Sequence, residues 1–193
     1  MEAILNKFNA LCFLDIDGCL NSQLFYNQQF KHLEYKIPFY RTVKKHLLKL
    51  VKSGKIQKLD YYKSMIDLNT INMLNDFCNE LNIGVVISST WRLGHTIEEL
   101  QEIFKYCGAT FTIIDKTPYT GYERGTEISK WLKENCMKWF GVHYYDFYKY
   151  CIIDDDSDML LNQQDHFFHC DNYIGLTPNI CYKIKRFFLH KTF

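Results

Sequence analysis

Residues 10–21 read ALCFLDIDGCLN and hold the densest chemistry in the chain. Leu11 to Ile16 are nearly all apolar, the pattern of a strand buried on both faces of a parallel sheet. The apolar run is broken by Asp15 and Asp17 and ends at Gly18. Carboxylates at i and i+2 point to one side of an extended chain, and a glycine lets the backbone turn away close to a ligand. At the carboxyl end of a strand such a pair suits a cation site or acid/base work, although a lone DxD can also simply solubilise a strand end.

Two further buried-looking strands end in matched groups. IGVVISS (83–89) runs into Ser88, Ser89, Thr90, Trp91 and Arg92, and YCIID (150–154) runs into Asp155, Asp156 and Asp158. Arg124 stands just before a helical pattern, in RGTEISKWL. Paired carboxylates, a hydroxyl, a second acidic cluster and a cation at a helix start are what magnesium-assisted phosphoryl transfer requires. Mg²⁺ takes hard oxygen ligands and keeps several waters, so a few Asp groups and a phosphate suffice. The spacing Asp154-Asp156-Asp158 imitates the start of a calcium loop. Met159 at its sixth position and Asp165 at its twelfth, after a strand rather than a helix, argue against that. Trp91 and Arg92 suit either packing beneath the site or substrate contact. The seven histidines lack ligand spacing and are not expected to be catalytic.

The elements that position these groups alternate. An amphipathic helix is expected at 68–81, with Asp67 as N-cap and Asn82 and Gly84 closing it. Further helices are expected at 96–107, at 125–137 and from Pro178 to about 190, with strands at 110–115 and 166–170. WFGVHYYDFYKY (139–150) reads as ordinary packing or an edge. The pattern predicts an α/β, Rossmann-like, mostly parallel sheet with helices on both faces.

The chain of 193 residues is long enough for one domain with a small insertion, and 47% hydrophobic content fills a core. Eight cysteines without a CxxC pair, two of them (Cys12 and Cys151) inside core strands, read as reduced thiols of an intracellular protein rather than as zinc ligands or disulfides. No signal peptide or membrane-spanning run is visible, so a soluble, cytoplasmic protein without membrane contact is expected. Richness in Asn, Lys, Tyr, Phe and Ile suits an AT-rich coding genome, such as that of a virus or phage. Oligomeric state is not readable.

Charge is unevenly spread. Residues 22–66 hold ten Lys and Arg against two acids, a charge of +8, so the rest of the chain carries −7 for a total of +1. Eight aromatics are interleaved there, and TVKKHLLKLVK (42–52) places lysines, Lys44 and Lys45 among them, along a helical pattern. Such a block suits phosphates and stacked bases, or else it is a solvated amphipathic helix pair.

The whole set resembles the haloacid dehalogenase-like (HAD) phosphohydrolase superfamily over most of the chain outside 22–66. Leu14-Asp15-Ile16-Asp17-Gly18 matches its hhhDxDG motif, Val85-Val86-Ile87-Ser88 its second motif and Ile152-Ile153-Asp154-Asp155 its fourth. Its third-motif lysine is matched in position by Arg124, with Lys116 the alternative. SSTWR, the RGxEI helix and IGLT (174–177) are similar to HAD domains associated with RNA-repair proteins and to the phosphatase half of polynucleotide kinase-phosphatases.

The resemblance implies Asp15 as nucleophile and Asp17 as acid/base. It implies Ser88, with Ser89 and Arg124, on the phosphoryl group, and Mg²⁺ held by Asp15, the Asp17 carbonyl, Asp154 and Asp155, with Asp158 a further acid. Residues 1–21 and 67–193 would form the catalytic core and 22–66 a basic, mainly helical cap, with Trp91, Arg92, Lys44 and Lys45 as substrate contacts. The implied activity is a phosphatase acting on nucleic-acid ends or nucleotides. The alternatives are a small-molecule phosphatase and a non-catalytic nucleic-acid-binding module. No kinase-type P-loop occurs.

Overall fold

A five-stranded, all-parallel sheet in the order β3-β2-β1-β4-β5 organises the molecule. The computed structural model describes residues 7–31, 39–144, 147 and 149–190. The strands are β1 (Ala10–Leu14), β2 (Ile83–Ile87), β3 (Thr112–Lys116), β4 (Tyr150–Asp154) and β5 (Phe167–His169). The helices are α1 (Gln23–Gln29), α2 (Phe39–Lys52), α3 (Lys58–Ser64), α4 (Leu68–Leu81), α5 (Ile97–Tyr106), α6 (Arg124–Phe140) and α7 (Pro178–His190).

β1, β2 and β4 are buried along their whole length, which explains their continuous apolar runs. Alternation still sorts their side chains between two cores. Cys12, Leu14, Val85, Ile87, Cys151 and Ile153 join the core that includes Ile71 and Leu74 of α4, Leu100 and Ile103 of α5 and Ile184 of α7. Leu11, Phe13, Val86 and Ile152 meet Ile128, Trp131 and Leu132 of α6 on the other face. Trp139 and Phe140 at the end of α6, and Tyr144 and Phe147 beyond it, pack into that second core. All eight cysteines are free and buried.

Local signals set the helix ends. Asp67 caps α4 by accepting from Asn69 N–H, and Asn82 closes it in the left-handed region. Thr96 and Glu99 form a reciprocal capping box on α5. β3 begins two residues later than its apolar pattern predicts, with Phe111 turned into the core ahead of it, and within the pair β2–β3 the register shifts between Val85 and Val86.

The 22–66 insertion carries α1, α2 and α3; its residues 32–38 lie outside the described residues. Its neck is closed by Asp67 N–H donating to the Leu20 carbonyl at 2.8 Å. Tyr26, Phe30, Tyr61 and Met65 from the insertion are buried in the same core as β1 and α4. Across to α5, Lys58 pairs with Glu99 and the Tyr106 hydroxyl donates to Asp60.

Candidate active site

Register builds the floor of the site. Leu14 of β1 pairs with Ile87 of β2 and Ile153 of β4, so the next rung sets Asp15 between Ser88 and Asp154. Ser88 N–H donates to the Leu14 carbonyl and Asp15 N–H to the Ile153 carbonyl, each at 2.9 Å. The strand order reverses direction at β1, the kind of switch point where open α/β sheets bind ligands. Asp15 follows Phe13, Ser88 follows Val86 and Asp154 follows Ile152, all on the face packed by α6.

The first residue of α6 is Arg124. Its guanidinium lies 3.5 Å from Asp15 Oδ1 and 3.3 Å from Asp154 Oδ2, with the side chain 11% exposed. A cation at a helix start opposes the helix dipole, and the acids of the floor offset this. Glu123, at the N-cap, makes no side-chain cap bond. Asp158 supplies the cap from the acidic loop: its Oδ2 accepts from Arg124 N–H at 2.8 Å and its carbonyl from Gly125 N–H. Asp158, a candidate metal ligand, is thus placed as the anchor of α6. Gly125 is required there, since a Cβ would sit 2.5 Å from both Gln163 Oε1 and Leu160 N.

The carboxylates crowd. One oxygen from each of Asp154, Asp155 and Asp156 lies within 4.8 Å of the others, and Asp15, Asp155 and the Cys19 thiol form a second such group. The Asp155 carboxylate rests on Gly18, where a Cβ would come within 2.3 Å of it and φ is +82°. Burial pushes the Asp15 carboxyl well above its usual range and neighbouring Asp154 adds to this, while Arg124 opposes. Burial also raises Asp154 to about 7, against Arg124 and the Asp156 N–H. Asp155 is raised by burial and by Asp156. Acids held this close need a proton or a cation between them.

Asp17 lies at the cleft wall with both oxygens engaged. Asn21 Nδ2 donates to Oδ1 at 2.7 Å and the Trp91 indole N–H to Oδ2 at 3.1 Å. Asn21 also accepts from Gly18 N–H at 3.0 Å, which holds the turn after β1. The floor opens into a cleft of about 370 Å³ walled by Tyr26, Gln23 and Asn27 of α1, together with Thr90, Asp156 and Asn172.

Several sequence candidates are placed elsewhere. Ser89 is fully buried, and its Oγ accepts from Trp91 N–H to cap the 3₁₀ turn at Thr90–Leu93. Arg92 is 4% exposed and donates to the carbonyls of Ser88, Ser89 and Thr117 while pairing with buried Glu127 of α6. It ties the β2 loop to α6 and does not line the cleft. Lys116 Nζ donates to the Arg92 and His95 carbonyls, which leaves Arg124 as the cation beside Asp15. Lys44 and Lys45 sit on α2, and neither lines the cleft. Asn21 and Glu127 were not singled out from sequence. Glu127 carried a signal: two charges in buried segments, Arg92 and Glu127, need partners and can satisfy each other.

The family model for the HAD domain in Swiss Army Knife RNA repair proteins matches residues 11–180. The chain belongs to this family. At that level it is a HAD-type phosphohydrolase. No curated protein and no solved structure matches the chain. The match spans the HAD floor and the insertion alike. The chain's acidic cluster could hold a metal ion, and no helix among the described residues is long and apolar enough to cross a membrane.

Proposed function

We propose that this domain is a Mg²⁺-dependent phosphomonoesterase working through an aspartyl-phosphate on Asp15, with nucleic-acid ends or nucleotides as substrates. One observation carries the reading. Around Asp15, the Ser88 hydroxyl and the Arg124 Nη1 donor are buried without a hydrogen-bond partner among the described residues, and buried Asp154 Oδ2, also without a hydrogen bond there, has only the Arg124 Nε at 3.3 Å as its ion-pair partner. Buried polar groups are rarely left unpaired, and two donors with an acid cluster suit a phosphoryl group beside a hard cation.

Asp15 supplies the carboxylate that attacks phosphorus, forming the acyl–phosphate bond as the ester oxygen leaves. Ser88 and Arg124 meet the phosphoryl oxygens, where charge spreads in the transition state. Asp17, held by Asn21 and Trp91, gives its proton to the leaving oxygen and then takes one from the hydrolytic water. Asp15, Asp154 and Asp155, with the Asp17 carbonyl, would hold Mg²⁺, which neutralises the clustered acids and the phosphate. Asp156 lies in the same carboxylate group.

The family's place in RNA repair and the cleft volume of about 370 Å³ support a nucleotide-bearing substrate. Gln23, Asn27 and Asn172 offer neutral hydrogen bonds to a sugar or base. A free small phosphate ester remains the second reading, because Arg124 is the only Lys or Arg lining the cleft among the described residues. A panel of 5′- and 3′-phosphorylated oligonucleotides beside free nucleotides and sugar phosphates, with Mg²⁺, tests both. Preference for an oligonucleotide end supports the first reading. Equal or better turnover of sugar phosphates overturns it in favour of the second.

A further inference from the structure

Trp91 is 8% exposed, and its indole N–H reaches across from the β2 loop to Asp17. The same tryptophan is held on its other side. Its carbonyl is 2.8 Å from His95 Nδ1, and His95 Nε2 is 2.6 Å from the hydroxyl of Tyr62 on α3. A carbonyl can only accept, so Nδ1 carries a hydrogen, and in the neutral ring Nε2 then accepts from Tyr62. The rings also pack, with Tyr62 and Trp91 centroids 5.4 Å apart and Tyr62 and His95 5.1 Å apart. An unbroken set of contacts thus leads from the insertion to one oxygen of Asp17.

We infer that Trp91 is a positioning residue for Asp17, and that helix α3 of the insertion sets it through Tyr62 and His95. The inference rests on the proposed acid/base role of Asp17. A carboxyl on a turn rotates freely unless both oxygens are held, and proton transfer demands placement within a fraction of an ångström. Asn21 comes from the same turn and moves with it. Trp91 ties the carboxyl to the β2 loop, and Tyr62 ties that loop to the insertion. Displacing α3 therefore loosens the proton donor while leaving Asp15, Ser88 and Arg124 on their own supports.

The test separates proton donation from general damage. Trp91→Phe keeps a ring and removes the N–H; Tyr62→Phe removes only the hydroxyl. Each is compared with the parent in kcat/KM, which stops at the first irreversible step, on two esters. An alkyl phosphate needs a proton on its leaving oxygen, and p-nitrophenyl phosphate does not. Trp91→Phe should lose on the order of 10- to 100-fold on the alkyl ester and no more than about threefold on the aryl ester. Tyr62→Phe should show the same selectivity with a smaller loss, roughly three- to tenfold on the alkyl ester. Equal losses on both esters, or none on either, overturn the inference.

A second measurement does not depend on turnover. The indole N–H resonance that vanishes in Trp91→Phe should move in both Asp17→Asn and Tyr62→Phe. A resonance unmoved by Tyr62→Phe overturns the link to the insertion. Absence of parent turnover on either ester, with the resonance still responding, overturns the phosphatase reading and keeps the contact chain.

Discussion

The strand-end floor and the helical insertion solve placement by opposite means. In the floor, Asp15, Ser88 and Asp154 inherit their positions from the register of three fully buried parallel strands, so no side chain has to be persuaded into place. The cost is electrostatic: burial raises the carboxyls of Asp15, Asp154 and Asp155. In the insertion, short helices meet the rest through Tyr26, Phe30, Tyr61 and Met65 beneath and through polar contacts above, and the lysines of α2 are largely exposed. On the proposed reading, the charged floor does the reaction and the basic insertion selects which molecules bring a phosphate to it. The two regions should therefore fail differently when altered.

The largest effect is expected at the floor. Asp15→Asn replaces the nucleophile with a neutral amide of the same shape. Hydrolysis of any phosphate ester should fall by at least about 10⁴-fold, in line with loss of a positioned catalytic group. The circular dichroism spectrum should be kept, because β1 and its pairing are untouched. Parent-like turnover by this variant at saturating Mg²⁺ would remove Asp15 from the chemistry and end the comparison.

A smaller effect separates the two regions by stability. The folded-state carboxyl of Asp154 is raised to about 7 from 3.8, mainly by burial. The folded protein then binds more protons than the unfolded chain between those values. Without metal, the contribution of Asp154 is fully present below pH ~4 and is lost as pH rises through about 7. Chelated protein should therefore melt at progressively lower temperature across this window, and Mg²⁺ should restore the midpoint by taking the place of the protons. Asp154→Asn should flatten the chelated profile, whereas substitutions on α2 should not. A chelated midpoint that climbs with pH across the window would show that these acids are not in conflict.

Much of the floor was legible because it is local. Asp15 and Asp17 on one strand end, Ser88 on another and Asp154 with Asp155 on a third follow from continuous apolar runs and the polar residues that break them. The boundaries of α4 and α7 followed from Asp67, Asn82 and Pro178 for the same reason. What could not be read was pairing across the chain. Whether Arg92 faced substrate or core depended on Glu127, thirty-five residues away, and the fate of Lys116 depended on two carbonyls of the β2 loop. The link from Tyr62 to Asp17 depends on how the insertion folds back onto the core, which no window of sequence contains. The insertion itself was legible as charge and aromaticity but not as geometry, since amphipathic spacing fixes a helix without fixing its neighbour.

The smallest effect, and the sharpest test of the division, concerns the exposed lysines of the insertion. Lys45, Lys49, Lys52 and Lys55 are exposed, whereas Lys44 is half-buried and is left in place. None of the four lines the cleft. With the chain outside 22–66 at −7, a polyanion needs a local basic track to approach, and a free nucleotide does not. If these lysines contact about four strand phosphates, log K should fall against log salt with a slope near −3, so binding weakens roughly 50-fold between ~50 and ~200 mM salt. Replacing all four with Gln should raise the oligonucleotide KM and flatten that slope, while p-nitrophenyl phosphate is hydrolysed at nearly the parent rate. The small ester is the control that matters, because it uses Asp15, Ser88 and Arg124 and ignores the track. Equal losses on both substrates would show that the insertion supports the floor electrostatically and that the division is false. No loss on either would make the lysines a solvated face and move the assignment to a small phosphate ester held by Ser88 and Arg124.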